Sequence, residues 1–236
     1  LDVQELDSRL DQLQHQLDTM PETKELQALS AGRAELDGRV RDAQIRVDDL
    51  TREQKKADAD VEQVKSRRVR DQDRMDQGLI TNPKDLERMQ QEMVSLQRRI
   101  SSLEDTELEV MEQLENAQAE LTDLTSQLAD TDERVRATTT SRDEKAAGIH
   151  EQTKATSEER KVLASSVPED LMTLYAKLRK QKGGVGVGAL LARRCTGCGM
   201  VLNASDLGVI AKSPFDAVIR CEECDRILVR TSESGV

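Results

Sequence analysis

The sequence predicts a mostly α protein, a long antiparallel coiled-coil hairpin followed by a small β-rich zinc ribbon with four cysteine ligands. Three observations predict it. Apolar residues recur at alternating steps of three and four along much of the first 128 residues. The only four cysteines stand as two Cys-x-x-Cys pairs, Cys195/Cys198 and Cys221/Cys224, in the last quarter of the chain. The 236 residues include no Trp, one Phe and one Tyr, while 34% are charged. A single large globular core is hard to build from that composition, so an elongated protein is expected.

The first stripe runs Val3, Leu6, Leu10, Leu13, Leu17 and Met20. It is interrupted at Thr19-Met-Pro21-Glu22, where Pro21 fits only the first turn of a new helix and Thr19 with Glu22 reads as a capping box. A second stripe follows at Leu36, Val40, Ala43, Val47, Leu50, Ala57, Val61 and Val64, broken at Gln54. Next come the turn signals of a hairpin tip near 78–83: Gly78 to end a helix, Asn82 to cap the next, Pro83 in its first position and Asp85 to complement its dipole. The returning stripe is the strongest, from Leu86 through Met89, Met93, Leu96, Ile100, Leu103, Val110, Leu114, Ala117, Leu121 and Leu124 to Leu128, with Glu107 its one polar member. These stripes are expected to pack on each other.

At 1.5 Å per residue a descending helix over 83–165 spans roughly 125 Å, against about 85 Å for 22–77, so residues 1–20 are needed to continue the ascending arm. Counted from the tip, Pro21 faces about residue 140, where Thr138, Arg142 and Lys145 stand in the seam in place of leucine. A bend or flexible joint is expected at that level. His15 and His150, the only histidines, lie near or outside the seam and read as exposed helix residues.

Residues 1–167 thus form the coiled-coil hairpin, and 168–236 the neck and ribbon. Ser166-Val-Pro168-Glu169 reads as a capping box for a short amphipathic helix carrying Leu171, Met172, Leu174, Tyr175 and Leu178, ended by Gly183-Gly184. Gly184-Val-Gly-Val-Gly188 lacks the spacing of a phosphate-binding loop and reads as a turn leading into an edge strand through Arg194. Strands are expected at 218–220 and 226–230, and 204–210 as a short helix or loop packing on Phe215.

Two Cys-x-x-Cys pairs let four sulfurs reach one metal at about 2.3 Å while intervening amides bond to the thiolates. Four thiolates complete a tetrahedron, so the expected site holds one structural Zn2+. Two disulfides or a redox-active pair are the alternatives; the regular pairing and the missing βαβ context weigh against them.

Several stretches carry a resemblance: Asn82-Pro-Lys-Asp-Leu-Glu-Arg-Met at the tip, Leu103-Glu-Asp-Thr-Glu-Leu-Glu-Val-Met-Glu112, Pro168-Glu-Asp-Leu through Tyr175-Ala-Lys-Leu-Arg179, Cys195-Thr-Gly-Cys198-Gly199 and Cys221-Glu-Glu-Cys224-Asp225-Arg226-Ile-Leu. The chain resembles bacterial C4-type zinc-ribbon proteins with an N-terminal coiled-coil hairpin, a family often described as nucleic-acid binding. Asp225 departs from the Gly more common there, but Asp tolerates the left-handed backbone a knuckle needs.

The resemblance implies no enzyme, and the residues agree, since a closed metal site and the absence of a nucleophile with a base leave no reaction centre. Residues 168–236 carry 10 Lys and Arg against 8 Asp and Glu, whereas 1–167 carry 25 against 38. Binding of RNA or DNA is therefore expected at neck and ribbon, through Lys177, Arg179, Lys180, Lys182, Arg193, Arg194, Arg220, Arg226 and Arg230, with Tyr175 or Phe215 stacking on a base. The alternative is a protein adaptor that docks partners through the ribbon and the coiled-coil tip, where Leu79 and Ile80 are expected to be exposed. Relatives associated with flagellar or secretion machinery and sigma factors imply this reading by resemblance. Pairing of seams between two chains is a third arrangement, disfavoured by the break at Asn82-Pro83. No membrane span is expected, and zinc thiolates without a spare cysteine suit the cytoplasm.

Overall fold

The structure is a computed structural model in which residues 1–235 are described. Five helices and four strands follow in order: α1 (Asp2–Asp18), α2 (Pro21–Asp76), α3 (Pro83–Ser165), α4 (Glu169–Gln181), β1 (Val187–Leu191), β2 (Arg194–Cys195), α5 (Ala204–Lys212), β3 (Ile219–Arg220) and β4 (Ile227–Arg230). They divide into two compact units, Glu25–Thr138 and the remainder, Leu1–Lys24 with Thr139–Val236. The division falls at the level where the seam loses its leucines.

Within Glu25–Thr138, α2 and α3 run antiparallel. Val47 and Leu50 pack with Leu114, Ala117 and Leu121, placing both stripes in one seam. Leu124 is 2% exposed and Ile100 3%, so each withdraws a side chain from water for about 1.5–3 kcal/mol. The tip forms as expected: Gly78 has a φ of 66°, and the Asn82 side chain accepts from the Lys84 amide at 3.0 Å. Ion pairs flank the seam, Lys65 with Glu104 on one side and Arg67 with Glu92 and Arg46 with Glu120 on the other.

In the second unit α1 is joined by the end of α3, α4 and a four-stranded sheet ordered β2-β1-β4-β3. β1 and β4 are parallel, and the outer pairs antiparallel. The alternation of β4 splits its side chains between two cores. Ile227 and Val229 join Val187, Tyr175, Leu178, Leu171 and Val3 on the α4 side. Leu228 joins Leu190, Leu202, Leu207, Ile210 and the cysteines on the other.

Four local expectations are corrected. Thr19 does not cap α2; its hydroxyl donates back to the His15 carbonyl, and Glu22 pairs with Lys145 instead. Ser166 likewise donates back, to Leu163, and α4 starts at Glu169 behind Pro168 without a side-chain cap. In both places the hydroxyl joins the same residue's own amide on one carbonyl of the preceding helix end, His15 O for Thr19 and Leu163 O for Ser166. β1 is central rather than an edge and stops at Leu191, because Ala192 and Arg193 both adopt positive φ and turn the chain into β2. The segment expected as helix or loop forms α5, but it does not pack on Phe215, which is 97% exposed.

Candidate metal centre and ribbon surface

Two backbone turns of the same design present the cysteines. In the first, the Cys195 amide donates to Met200 O at 2.9 Å and the Gly199 amide to Cys195 O at 2.7 Å. In the second, the Cys221 amide donates to Arg226 O at 2.9 Å and the Asp225 amide to Cys221 O at 2.7 Å. Gly199 and Asp225 take the left-handed backbone that closes each turn, at φ of 77° and 63°. The close approach of the first turn to β1 requires glycine, since a Cβ on Gly188 would lie 2.7 Å from the Gly197 nitrogen.

The four sulfurs lie within 4.8 Å of one another, with Cys195 and Cys224 Sγ 4.0 Å apart. Tetrahedral coordination at 2.3 Å sets sulfurs about 3.8 Å apart, whereas a disulfide needs about 2.05 Å. The donor set therefore fits zinc. Burial pushes the Cys195 and Cys221 thiols up, against amides of Gly197 and Cys198 at one and of Glu223 and Cys224 at the other. Burial also raises Cys224, but hydrogen bonds from the Arg226 amide and guanidinium, joined by those from Cys198 and Cys221, outweigh it and hold that thiol below its ordinary value. A buried cluster of this kind resists ionisation unless a cation compensates it, which is what the metal supplies.

The sequence-predicted interface residues have separate fates. Tyr175 is 5% exposed and its hydroxyl donates to Asp7 Oδ2 at 2.6 Å, so it has no face to offer a base. Arg179 bonds to Asp11 at 2.6 Å. Arg226 donates to the carbonyls of Val185 and Lys182 at 2.8 and 2.9 Å. Arg230 holds the end of α5 through the carbonyls of Ile210, Ser213 and Pro214. Arg220 closes the second knuckle on Asp225 O. Arg194 donates to Gly199 O and Arg193 to Gly235 O, both remaining exposed. Lys177 and Lys180 are exposed and Lys182 half-buried, none of them in an ion pair among the described residues. At the tip Leu79 is 64% exposed while Ile80 is half covered.

Two polar residues that bind α1 to the neck were not anticipated. Asp7, 3% exposed, takes Arg160 of α3 as well as Tyr175 of α4. Burial raises its carboxyl, but the bonds from Arg160 and Tyr175 outweigh this and hold it low. Gln4 donates to Gly184 O at 2.9 Å and accepts from the Gly186 amide at 2.7 Å. Their partners lie 153 to 182 residues away, and a period count cannot see them.

The ribbon also exposes apolar groups: Phe215, Val209 at 65%, Val201 at 56%, Met200 at 52% and Val218 at 51%.

Residues 3–183 match the family described as the CT398-like coiled coil hairpin domain, and residues 194–228 match the C4-type zinc ribbon domain. The chain is 31% identical over 230 residues to an uncharacterized protein of Mycobacterium tuberculosis, covering 98% of this chain and 93% of the relative. An uncharacterized protein of Mycobacterium leprae is 25% identical over 225 residues, covering 95% and 96%. A solved structure from Mycobacterium smegmatis aligns with a TM-score of 0.81 at 29% identity, over 98% of this chain and 95% of that one. The structure of CT398 from Chlamydia trachomatis aligns at 0.66 and 20% identity over 97% and 94%, a likeness of fold.

Proposed function

Since the chain belongs to the CT398-like coiled-coil hairpin family and ends in a C4-type zinc ribbon, we propose that it acts as a non-enzymatic adaptor that docks a protein through the exposed apolar surface of its ribbon. The observation that carries this is Phe215, the only phenylalanine in the chain, which stands 97% exposed. A fully solvated phenyl ring between Pro214 and Asp216 gains nothing from folding, and burial against a partner recovers the transfer energy of its surface. Val209 on α5 and Val218 in the same loop, just before β3, add further exposed apolar area.

Binding rather than catalysis is supported by the chemistry of the sites. Four thiolates fill zinc's tetrahedron and leave no position for a substrate. An apolar pocket of about 140 Å³ is lined by residues including Leu171, Met172, Val187 and Val229, with Gln4 and Tyr175 as its polar members. Burial and Asp7 push the Tyr175 phenol well above its ordinary value, so it stays neutral.

Nucleic-acid binding receives less support, because Arg179, Arg220, Arg226 and Arg230 are spent on carboxylates and carbonyls of the fold itself. Zinc-loaded full-length protein titrated against labelled single-stranded RNA, single-stranded DNA and duplex DNA across a salt series separates the readings. The adaptor reading expects no binding near physiological salt. Salt-dependent binding that is lost on replacing Arg193 and Arg194 by Glu would replace it with the nucleic-acid reading.

A further inference from the structure

The flanks of the hairpin differ in a way that the seam does not require. Counting Leu86 as heptad position a, the ion pairs on the two sides of the seam join e to e, Lys65 with Glu104, and g to g, Arg46 with Glu120 and Arg67 with Glu92. Every exposed large apolar residue of α3 within Glu25–Thr138 lies on the e side: Val94 and Leu108 at b, 54% and 62% exposed, and Met111 at e, 36% exposed. Val69 of α2, 54% exposed, is also at b and lies on the same side.

Along α3 this face has an internal order. Val94, Ser101 and Leu108 occupy successive b positions, so a small residue sits midway between two apolar ones about 10 Å to either side. Beside them at f stand Arg98 and Asp105, both exposed and neither in an ion pair among the described residues. Seven residues separate these two charges, about 10 Å along the helix, too far for them to satisfy each other. The arrangement is one half of a self-complementary surface.

We propose that this face binds a second copy of the chain, the two α3 helices crossing antiparallel about a two-fold axis at Ser101. That operation sets Val94 against Leu108 of the other copy, and Arg98 against Asp105, each contact occurring twice. Ser101 at the axis allows close approach of the backbones. Charge selects the direction: from Glu104 to Glu133 the helix carries eleven Asp and Glu and no Lys or Arg. Parallel pairing in register would lay these two acidic runs side by side, whereas the antiparallel crossing sends them in opposite directions.

Sedimentation equilibrium of zinc-loaded full-length protein over a concentration series, combined with a short bismaleimide cross-linker on variants that each carry one added cysteine besides the four metal ligands, tests this. A concentration-dependent dimer is expected. Ser101→Cys alone should cross-link to itself, and a mixture of Val94→Cys with Leu108→Cys should cross-link, while Val94→Cys alone and the wild type should not. Arg98→Asp should weaken the dimer about tenfold through its two lost ion pairs, and adding Asp105→Arg should restore it. A monomer at every concentration, efficient cross-linking of Val94→Cys to itself, or an Arg98→Asp defect that the second reversal does not repair would overturn the proposal.

Discussion

Glu107 is the one acidic residue in the apolar stripe of α3, and its cost can be read from its surroundings. Partial burial, then the neighbouring Asp58 carboxylate, push its carboxyl above the ordinary value. A raised folded-state value means that ionised Glu107 opposes folding. The penalty is absent below the ordinary glutamate range, grows as pH rises through it and is complete above the folded-state value. Glu107→Leu should therefore raise the thermal unfolding midpoint at pH 7, with the gain over wild type shrinking toward pH 4 in circular dichroism melts. Arg226 shows the opposite economy. Its guanidinium bonds two neck carbonyls and lowers the Cys224 thiol. Arg226→Met should leave all four ligands but cost about 10- to 100-fold in zinc affinity, measured by chelator competition. Residue identity predicted the cysteines, because their chemistry and spacing are local. It did not predict Arg226, which read as one more surface cation, or Tyr175, whose burial depends on Asp7 in a distant helix.

Among the elements, the long helices were legible because a heptad stripe encodes both the helix and the face that buries it, and Gly78-to-Asp85 encodes the turn. The start of α2 at Pro21 was legible for the wrong reason, and that of α4 fell two residues later than a Ser166 cap implies, with Pro168 as the N-cap. Proline specified the boundary, while Thr19 and Ser166 turned to carbonyls of the helix before them. The ribbon strands were legible less well, since β2 and β3 are two residues long and owe their pairing to the knuckles more than to propensity. That dependence has a consequence. Cys195 and Cys221 share a core with Leu190, Leu202 and Leu228, so metal loss should loosen the sheet. Hydrogen exchange after chelation is expected to show lost protection in β1 and β4 with protection kept in the middle of α2 and α3. Equal loss in all four would mean that the hairpin depends on the metal too.

For the molecule as a whole, the sequence marks the level of Pro21 and Thr138 as a break in the leucine seam, and there the chain divides into its two compact units. Function was less legible than architecture. The excess of basic over acidic residues after 168 suggested nucleic acid, but a count of charges does not show which are already engaged within the fold. Among the described residues no helix is long and apolar enough to cross a membrane. The proposed docking of a protein accounts for the exposed apolar groups of the ribbon. The most direct measurement replaces Phe215 with the photoreactive benzoylphenylalanine in the full-length protein and irradiates growing cells. The adaptor account predicts a discrete adduct of defined mass that protease removes and nuclease does not, absent when the same group is placed at Ile45, an exposed position of α2. An adduct removed by nuclease, or none beyond that seen at Ile45, would contradict it.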